Sequence, residues 1–183
     1  MSSMVDEIRD ELLSLIPELA EIKDEALRDG VVDCFTIALD EGGYKPEDMD
    51  RMPFTLQIEN CPVSLLEHIK GVLATSLAIA RTMETVYGPR VSIDRDALIA
   101  GALLHDVGKL IEYAEEEGEF IASDTGMLVR HNIIGAQIAR EAGLPIEVSH
   151  IIAYHSIDVE ITRRTIEAYI VHISDFINSE VFK

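Results

Sequence analysis

The chain has 183 residues, with 15 Lys plus Arg against 34 Asp plus Glu, a formal charge of −19. That balance disfavours nucleic-acid polymers, whose affinity rests on Lys and Arg, and anionic membrane surfaces. A hydrophobic fraction of 48 % supports a full core, and the length suits one domain, or a domain with an extension.

The pattern is helical nearly throughout. Val5, Ile8, Leu12, Leu15 and Ile16 recur at helical spacing until Pro17 interrupts. A second periodic stretch runs from Leu19 to Leu39 and stops at Gly42-Gly43, with Gly30 expected to break or kink it. Residues 44 to 61, with Pro46 and Pro53, read as an irregular connector carrying one short helix. Ser64 and Glu67 fit a capping box that opens a helix bearing Leu65, Ile69, Val72, Leu77 and Ala80 on one face and ending at Gly88-Pro89. The next helix is predicted over Asp94 to Val107, terminated by Gly108. An acidic turn between β-prone runs, Ile111 to Ile121, predicts a small exposed hairpin. Three further helices are predicted: Leu128 to Ala142, one opening at Pro145, and Thr162 to Glu180. The fold class is therefore all-α: residues 1–61 form a helical extension and connector, residues 62–183 the main domain.

Cys34 and Cys61 are far apart and form no CxxC, which argues against a disulfide framework or a thiolate zinc site. The amino terminus lacks the basic start and apolar run of a signal peptide, and no stretch approaches the ~18 apolar residues of a membrane span. A cytoplasmic protein is expected.

The chemistry lies in a sparse set of residues. His105-Asp106 ends the apolar run Leu98–Leu104 and is followed by Val107-Gly108-Lys109. Imidazole and carboxylate suit borderline divalent metals, and a carboxylate can bridge two of them. A buried His-Asp pair without partners would be costly. His68 lies one helix earlier, while His131, His155 and Asp175 follow at intervals of about one helix and one connector. Adjacent helices of a bundle can aim such residues into a shared interior. Lys109, three residues after Asp106, falls on the same side of a helical turn, where its ammonium suits an anionic oxygen. Gly108 leaves room for a turn or for close approach of a substrate.

In their order and local context these residues resemble the HD-domain metal-dependent phosphohydrolases, in the branch that carries His-Asp-Val-Gly-Lys. His68, His105-Asp106 and Asp175 match the order His…His-Asp…Asp, and His131 and His155 match the two extra histidines of the dinuclear members. The resemblance covers residues 62 to 183. It departs at Tyr154-His155-Ser156, where many dinuclear members have consecutive histidines. The resemblance implies an all-α domain with two divalent metals (Fe, Mn, Mg, Co or Ni). Asp106 would bridge them, with His68, His105 and Asp175 on one and His131 and His155 on the other. It implies hydrolysis, by metal-activated water, of a small anionic phosphorylated molecule, a nucleotide or related phosphoester.

Asp106 and Lys109 are then the catalytic candidates, and Lys109, Arg130, Arg163 and Arg164 the candidate phosphate contacts. An exposed arginine in so acidic a chain is more often simply paired with Glu. His172 reads as a bundle or substrate-facing histidine and His150 as a surface one. Two rivals stand beside hydrolysis. One is a mixed-valent di-iron oxygenase on the same fold, which the ligand set does not separate. The other is a non-catalytic sensing or partner-binding module. Residues 1–61 are expected to serve partner binding or homo-oligomerisation.

Overall fold

The computed structural model describes residues 2–156 and 163–183. Helix α1, Ser2–Leu15, stops ahead of Pro17 and passes into a 3₁₀ turn, Pro17–Glu21. The side chain of Val5 lies outside those described. Helix α2, Glu25–Gly42, starts where the Asp24 carboxylate accepts from Leu27 N–H and ends on Gly43 in the left-handed region, φ 74°. Gly30 does not break it. The helix runs through, and Gly30 serves close packing, since a Cβ there would lie 2.8 Å from a Leu144 methyl.

The connector carries a 3₁₀ turn, Pro46–Asp50, and then an irregular run that is pinned at both ends. Phe54 N–H donates to Val63 O at 3.2 Å and Leu65 N–H to Met52 O at 2.7 Å. The capping box then forms as expected. Glu67 N–H donates to Ser64 Oγ at 3.1 Å, and Ser64 N–H to Glu67 Oε2 at 2.9 Å, opening α3, Leu65–Tyr87. Helix α4, Arg95–Leu104, is capped by Asp94 and buried on all sides from Ala97 to Leu104, which explains its uninterrupted apolar run.

It ends three residues earlier than predicted. Residues 105–108 form a turn, and Lys109–Glu112 is a separate single-turn helix, α5. The space beside Gly108 is filled by protein backbone. A Cβ there would lie 2.1 Å from His131 O, so it lets the turn press directly against the backbone of the next helix but one. The predicted hairpin is present as β1, Tyr113–Glu116, and β2, Glu119–Ala122, in antiparallel register, with Glu117 and Gly118 at positive φ in its two-residue turn.

Helix α6, His131–Glu141, begins three residues later than expected, α7 is Ile146–Tyr154 with Pro145 at its N-cap, and α8 is Ile166–Glu180 with Thr165 as N-cap. The expected start at Thr162 lies outside the described residues. Helix α4 packs against α3, α7 and α8, and α6 against α7. Residues 1–61 share the same apolar core: Leu12, Ile16, Phe35 and Leu39 belong to one cluster with Leu98, Leu103 and Val171. Among the described residues no helix is long and apolar enough to cross a membrane.

Candidate metal centre

The central helix α4 decides where the chemistry sits. Because it is buried all round, the residues at its end project into the interior, and His105, Asp106 and Lys109 are all buried. Helix α7 ends in the same way at His155. At each of these two C-termini the histidine folds back on its own helix. His105 Nδ1 donates to Ala102 O and His155 Nδ1 to Ile152 O, both at 2.7 Å. A carbonyl oxygen can only accept, so each Nδ1 carries the proton, and a metal at the centre would meet the Nε2 lone pair of each ring. The negative ends of two helix dipoles thus converge on one point, a setting that favours a cation.

Asp106 divides the imidazoles into two pairs. Its Oδ2 lies 3.4 Å from the Nε2 atoms of both His68 and His105. Its Oδ1 lies 3.3 Å from His131 Nε2 and 3.7 Å from His155 Nε2. His68 Nε2 is 3.2 Å from His105 Nε2 and 3.1 Å from Asp175 Oδ1. Ligand atoms at ~2.1 Å from one metal stand about 3.0 Å apart along an octahedral edge and about 3.4 Å along a tetrahedral one. The separations from 3.1 to 3.4 Å fall on those edges, and that of Asp106 Oδ1 and His155 Nε2, 3.7 Å, is longer. The His68, His105, Asp106 group and the Asp106, His131, His155 group could each hold a metal ion, so the donor set fits divalent metal binding.

Burial and charge set the protonation. Burial pushes the His68 and His131 imidazoles below their ordinary pKa, and their carboxylate partners only partly offset it. Burial also pulls His105 down, but the charge of Asp106 outweighs it and the net shift is upward. For Asp106, burial pushes the carboxyl up, yet Lys109 and then His105 outweigh it and hold it well below the carboxylate range. Asp175 is likewise held low, chiefly by its hydrogen bond from His68 working against burial. Lys109 is raised because Asp106 outweighs burial. Its ammonium donates to Asp106 Oδ2 at 2.6 Å and to the carbonyl of Phe54.

The structure brings His68, His105, Asp106, Lys109, His131, His155 and Asp175 together. Arg130 lines the cleft above them with its side chain 57 % exposed, its Nε 3.4 Å from Glu112 Oε1. Arg163 and Arg164 do not line it. Arg163 is exposed, and the Arg164 guanidinium is spent on Tyr154 O at 2.8 Å and Ser156 O at 3.2 Å, closing the end of α7. His172 sits beside the centre and donates to His155 O, while His150 is partly exposed against Tyr154.

Sequence reasoning missed two neighbours. Phe54 stacks on His68, ring centres 4.6 Å apart, from a connector that showed no pattern. Glu112, buried, accepts from His131 Nδ1 at 2.9 Å. Its one sequence signal was a carboxylate between Ile111 and Tyr113, three residues after Lys109.

The cleft has a volume of about 320 Å³. One wall is Phe54 to Gln57, another is Phe176, Ser179 and Lys183 of α8 and the turn after it, and Tyr113 and Arg130 close the side next to the hairpin.

Comparison with known proteins places these residues in context. A family model described as HD domain matches residues 65–177. The chain is 35 % identical over 179 residues to dihydroneopterin 2′,3′-cyclic phosphate phosphodiesterase of Methanocaldococcus jannaschii, covering 91 % of this chain and 68 % of that one. It is 40 % identical over 112 residues to ribonuclease Y of Thermobifida fusca, covering 61 % of this chain and 19 % of the ribonuclease. It is 34 % identical over 111 residues to ribonuclease Y of Acidothermus cellulolyticus, covering 61 % and 17 %. No solved structure gives a significant match.

Proposed function

The chain belongs to the HD-domain family, and from that premise we propose that it is a divalent-metal-dependent phosphodiesterase acting on a small molecule that carries a cyclic phosphodiester. The observation that carries the reading is the division of Asp106, one carboxylate oxygen toward each pair of imidazoles. His68, His105, Asp175 and Asp106 Oδ2 would hold one divalent ion, and His131, His155 and Asp106 Oδ1 a second. When bound, such a pair supplies Lewis acidity toward phosphoryl oxygens and brings the acidity of water toward neutrality.

The chain's own groups do the rest. Lys109, locked by Asp106 and the Phe54 carbonyl, holds a fixed positive charge at the floor of the cleft. Arg130, 3.4 Å from Glu112 Oε1, and Lys183, 2.7 Å from Glu180 Oε1, both line the cleft and are the cations available to phosphate oxygens. Phe54, Tyr113 and Phe176 offer apolar surface to the organic part of the substrate. A volume of about 320 Å³ falls at the small end of ordinary ligand sites, which run from roughly 300 Å³ upward. The formal charge of −19 opposes a polyanionic polymer, whereas local cations in the site reverse the field for a single phosphoester. The name of the Methanocaldococcus relative supports the cyclic phosphodiester as substrate class.

The test is a panel of cyclic phosphodiesters, open diesters and monoesters, assayed with Mn²⁺, Mg²⁺, Co²⁺, Ni²⁺ and Fe²⁺ against the wild type and Asp106→Ala. Metal-dependent ring opening lost in the variant is expected. Activity that survives Asp106→Ala, or iron-dependent dioxygen consumption with no hydrolysis, would overturn the reading.

A further inference from the structure

The four central histidines are not supported alike. His105 and His155 give their Nδ1 protons to backbone carbonyls three residues earlier, and His68 Nδ1 has no hydrogen-bond partner among the described residues. His131 gives its proton to a carboxylate, Glu112 Oε2, at 2.9 Å.

The two halves of the centre also differ in charge. The His68–His105 half faces two carboxylates, Asp106 Oδ2 and Asp175 Oδ1. Among the described residues the His131–His155 half faces one carboxylate oxygen, Asp106 Oδ1. A divalent ion there would meet two neutral imidazoles and half of a shared carboxylate.

Glu112 stands where that deficit can be made up. It is buried, a costly place for a carboxylate unless its lone pairs are used. Its direction leaves little slack. Glu112 N–H donates to Gly108 O and Ser123 N–H donates to Glu112 O, both at 2.9 Å. Gly126 lies so close over it that a Cβ there would come within 2.1 Å of Glu112 O. Oε1 lies 3.4 Å from Arg130 Nε, so the second oxygen is left facing His131. A carboxylate on the far nitrogen of an imidazole fixes its tautomer and orientation and makes the near nitrogen a stronger donor.

We propose that Glu112 is the positioning residue that makes the His131–His155 half a competent divalent-metal site, supplying through His131 the negative charge that half lacks. The inference rests on the two-metal reading of the centre, and the experiment separates the two. Protein stripped with a chelator is titrated with Mn²⁺ by calorimetry, with the bound metal counted by elemental analysis. The wild type is expected to take up two ions per chain. A wild type that holds one overturns the two-metal reading, and the inference with it, before any variant is made.

Given two, Glu112→Gln keeps the shape and removes the charge. It is expected to weaken one ion by about 10- to 100-fold and leave the other unchanged. His131→Ala should abolish binding of that same ion, while Arg163→Ala, at an exposed residue outside the cleft lining, should leave both in place. Both ions bound as in the wild type, or both weakened alike, would overturn the assignment. Should Glu112→Gln fail to fold by circular dichroism, the comparison passes to Glu112→Asp. That variant keeps the charge and shortens the reach, and it should weaken the same single ion.

Discussion

Replacing Gly108 by alanine adds one methyl group at the point where the turn 105–108 meets α6. The backbone of Gly108 has φ −64°, which any residue adopts, so the substitution brings no dihedral strain of its own. The cost is steric. The new Cβ would lie 2.1 Å from His131 O and 2.8 Å from Gly135 N, both backbone atoms that no rotamer change can move aside. Relief requires the turn and α6 to separate by about 1 Å. Overpacking of this kind costs about 2–3 kcal/mol, which lowers Tm by about 4–12 °C in a chain of this size. The displaced residue is His131, and metal ligands tolerate errors of only about 0.2 Å, so bound metal should fall as well. Thermal unfolding and metal content of the purified variant measure both effects. Gly71→Ala is the control: its Cβ would meet the Asn178 amide at 2.9 Å, a side-chain end that can yield, in the middle of α3, where alanine is favoured over glycine. A Gly108→Ala protein that melts within a degree of the wild type and keeps its metal would refute the reasoning.

Three other outcomes are expected. Lys109→Met leaves Asp106 buried without its main counter-charge, so the metal-free protein should lose about 3–5 kcal/mol while the metal-loaded protein loses much less; equal losses in paired melts would contradict this. Burial pushes the Cys34 thiol from 9.0 to about 12, so at pH 8 a thiol reagent should modify Cys61 and spare Cys34 in the native chain; the same shift means that the stability Cys34 contributes is intact below pH 9 and is lost as pH rises toward 12, readable in alkaline denaturation. Phe54→Ala removes a fully packed ring from above His68 and should cost about 3–5 kcal/mol and raise KM for the substrate, and an unchanged KM would remove Phe54 from the cleft wall.

Much of this was legible because several local rules agreed. Ser64 and Glu67 announce α3 whatever surrounds them, since the cap closes within four residues. The run from Ala97 to Leu104 announces a buried helix, and a His-Asp pair at the end of such a helix has nowhere to go but inward. The failures share one cause. Gly30 and Gly108 look like breakers in a sequence because their use, the close approach of Leu144 and of the His131 backbone, comes from elements more than twenty residues away. Arg164 read as a phosphate contact, yet the free carbonyls at the end of α7 claim it, a competition that spacing does not display. Glu112 read as part of a hairpin because its partner, His131, lies nineteen residues on, across the entire hairpin.

Residues outside the matched segment line the cleft. The family match runs from 65 to 177, and it contains the histidines and aspartates of the centre. The lining of the cleft above that centre includes Phe54 to Gln57 and Ser179, Glu180 and Lys183, all beyond those limits. From Phe54 to Lys183 is 130 residues, more than the 112 aligned with the ribonuclease of Thermobifida fusca, so that alignment cannot contain both walls. The alignment with the cyclic phosphodiesterase relative covers 91 % of the chain and so takes in most of what the ribonucleases leave out. The walls are also firmly attached to the chemistry. Phe54 holds Lys109 through its carbonyl and His68 through its ring, and Phe182 packs edge-on against it at 6.3 Å. The cleft above a centre shared across the family is therefore built in part by residues beyond the family match. In this chain the connector is bonded through the Phe54 carbonyl to Lys109, and residues 54–57 line the cleft above the centre.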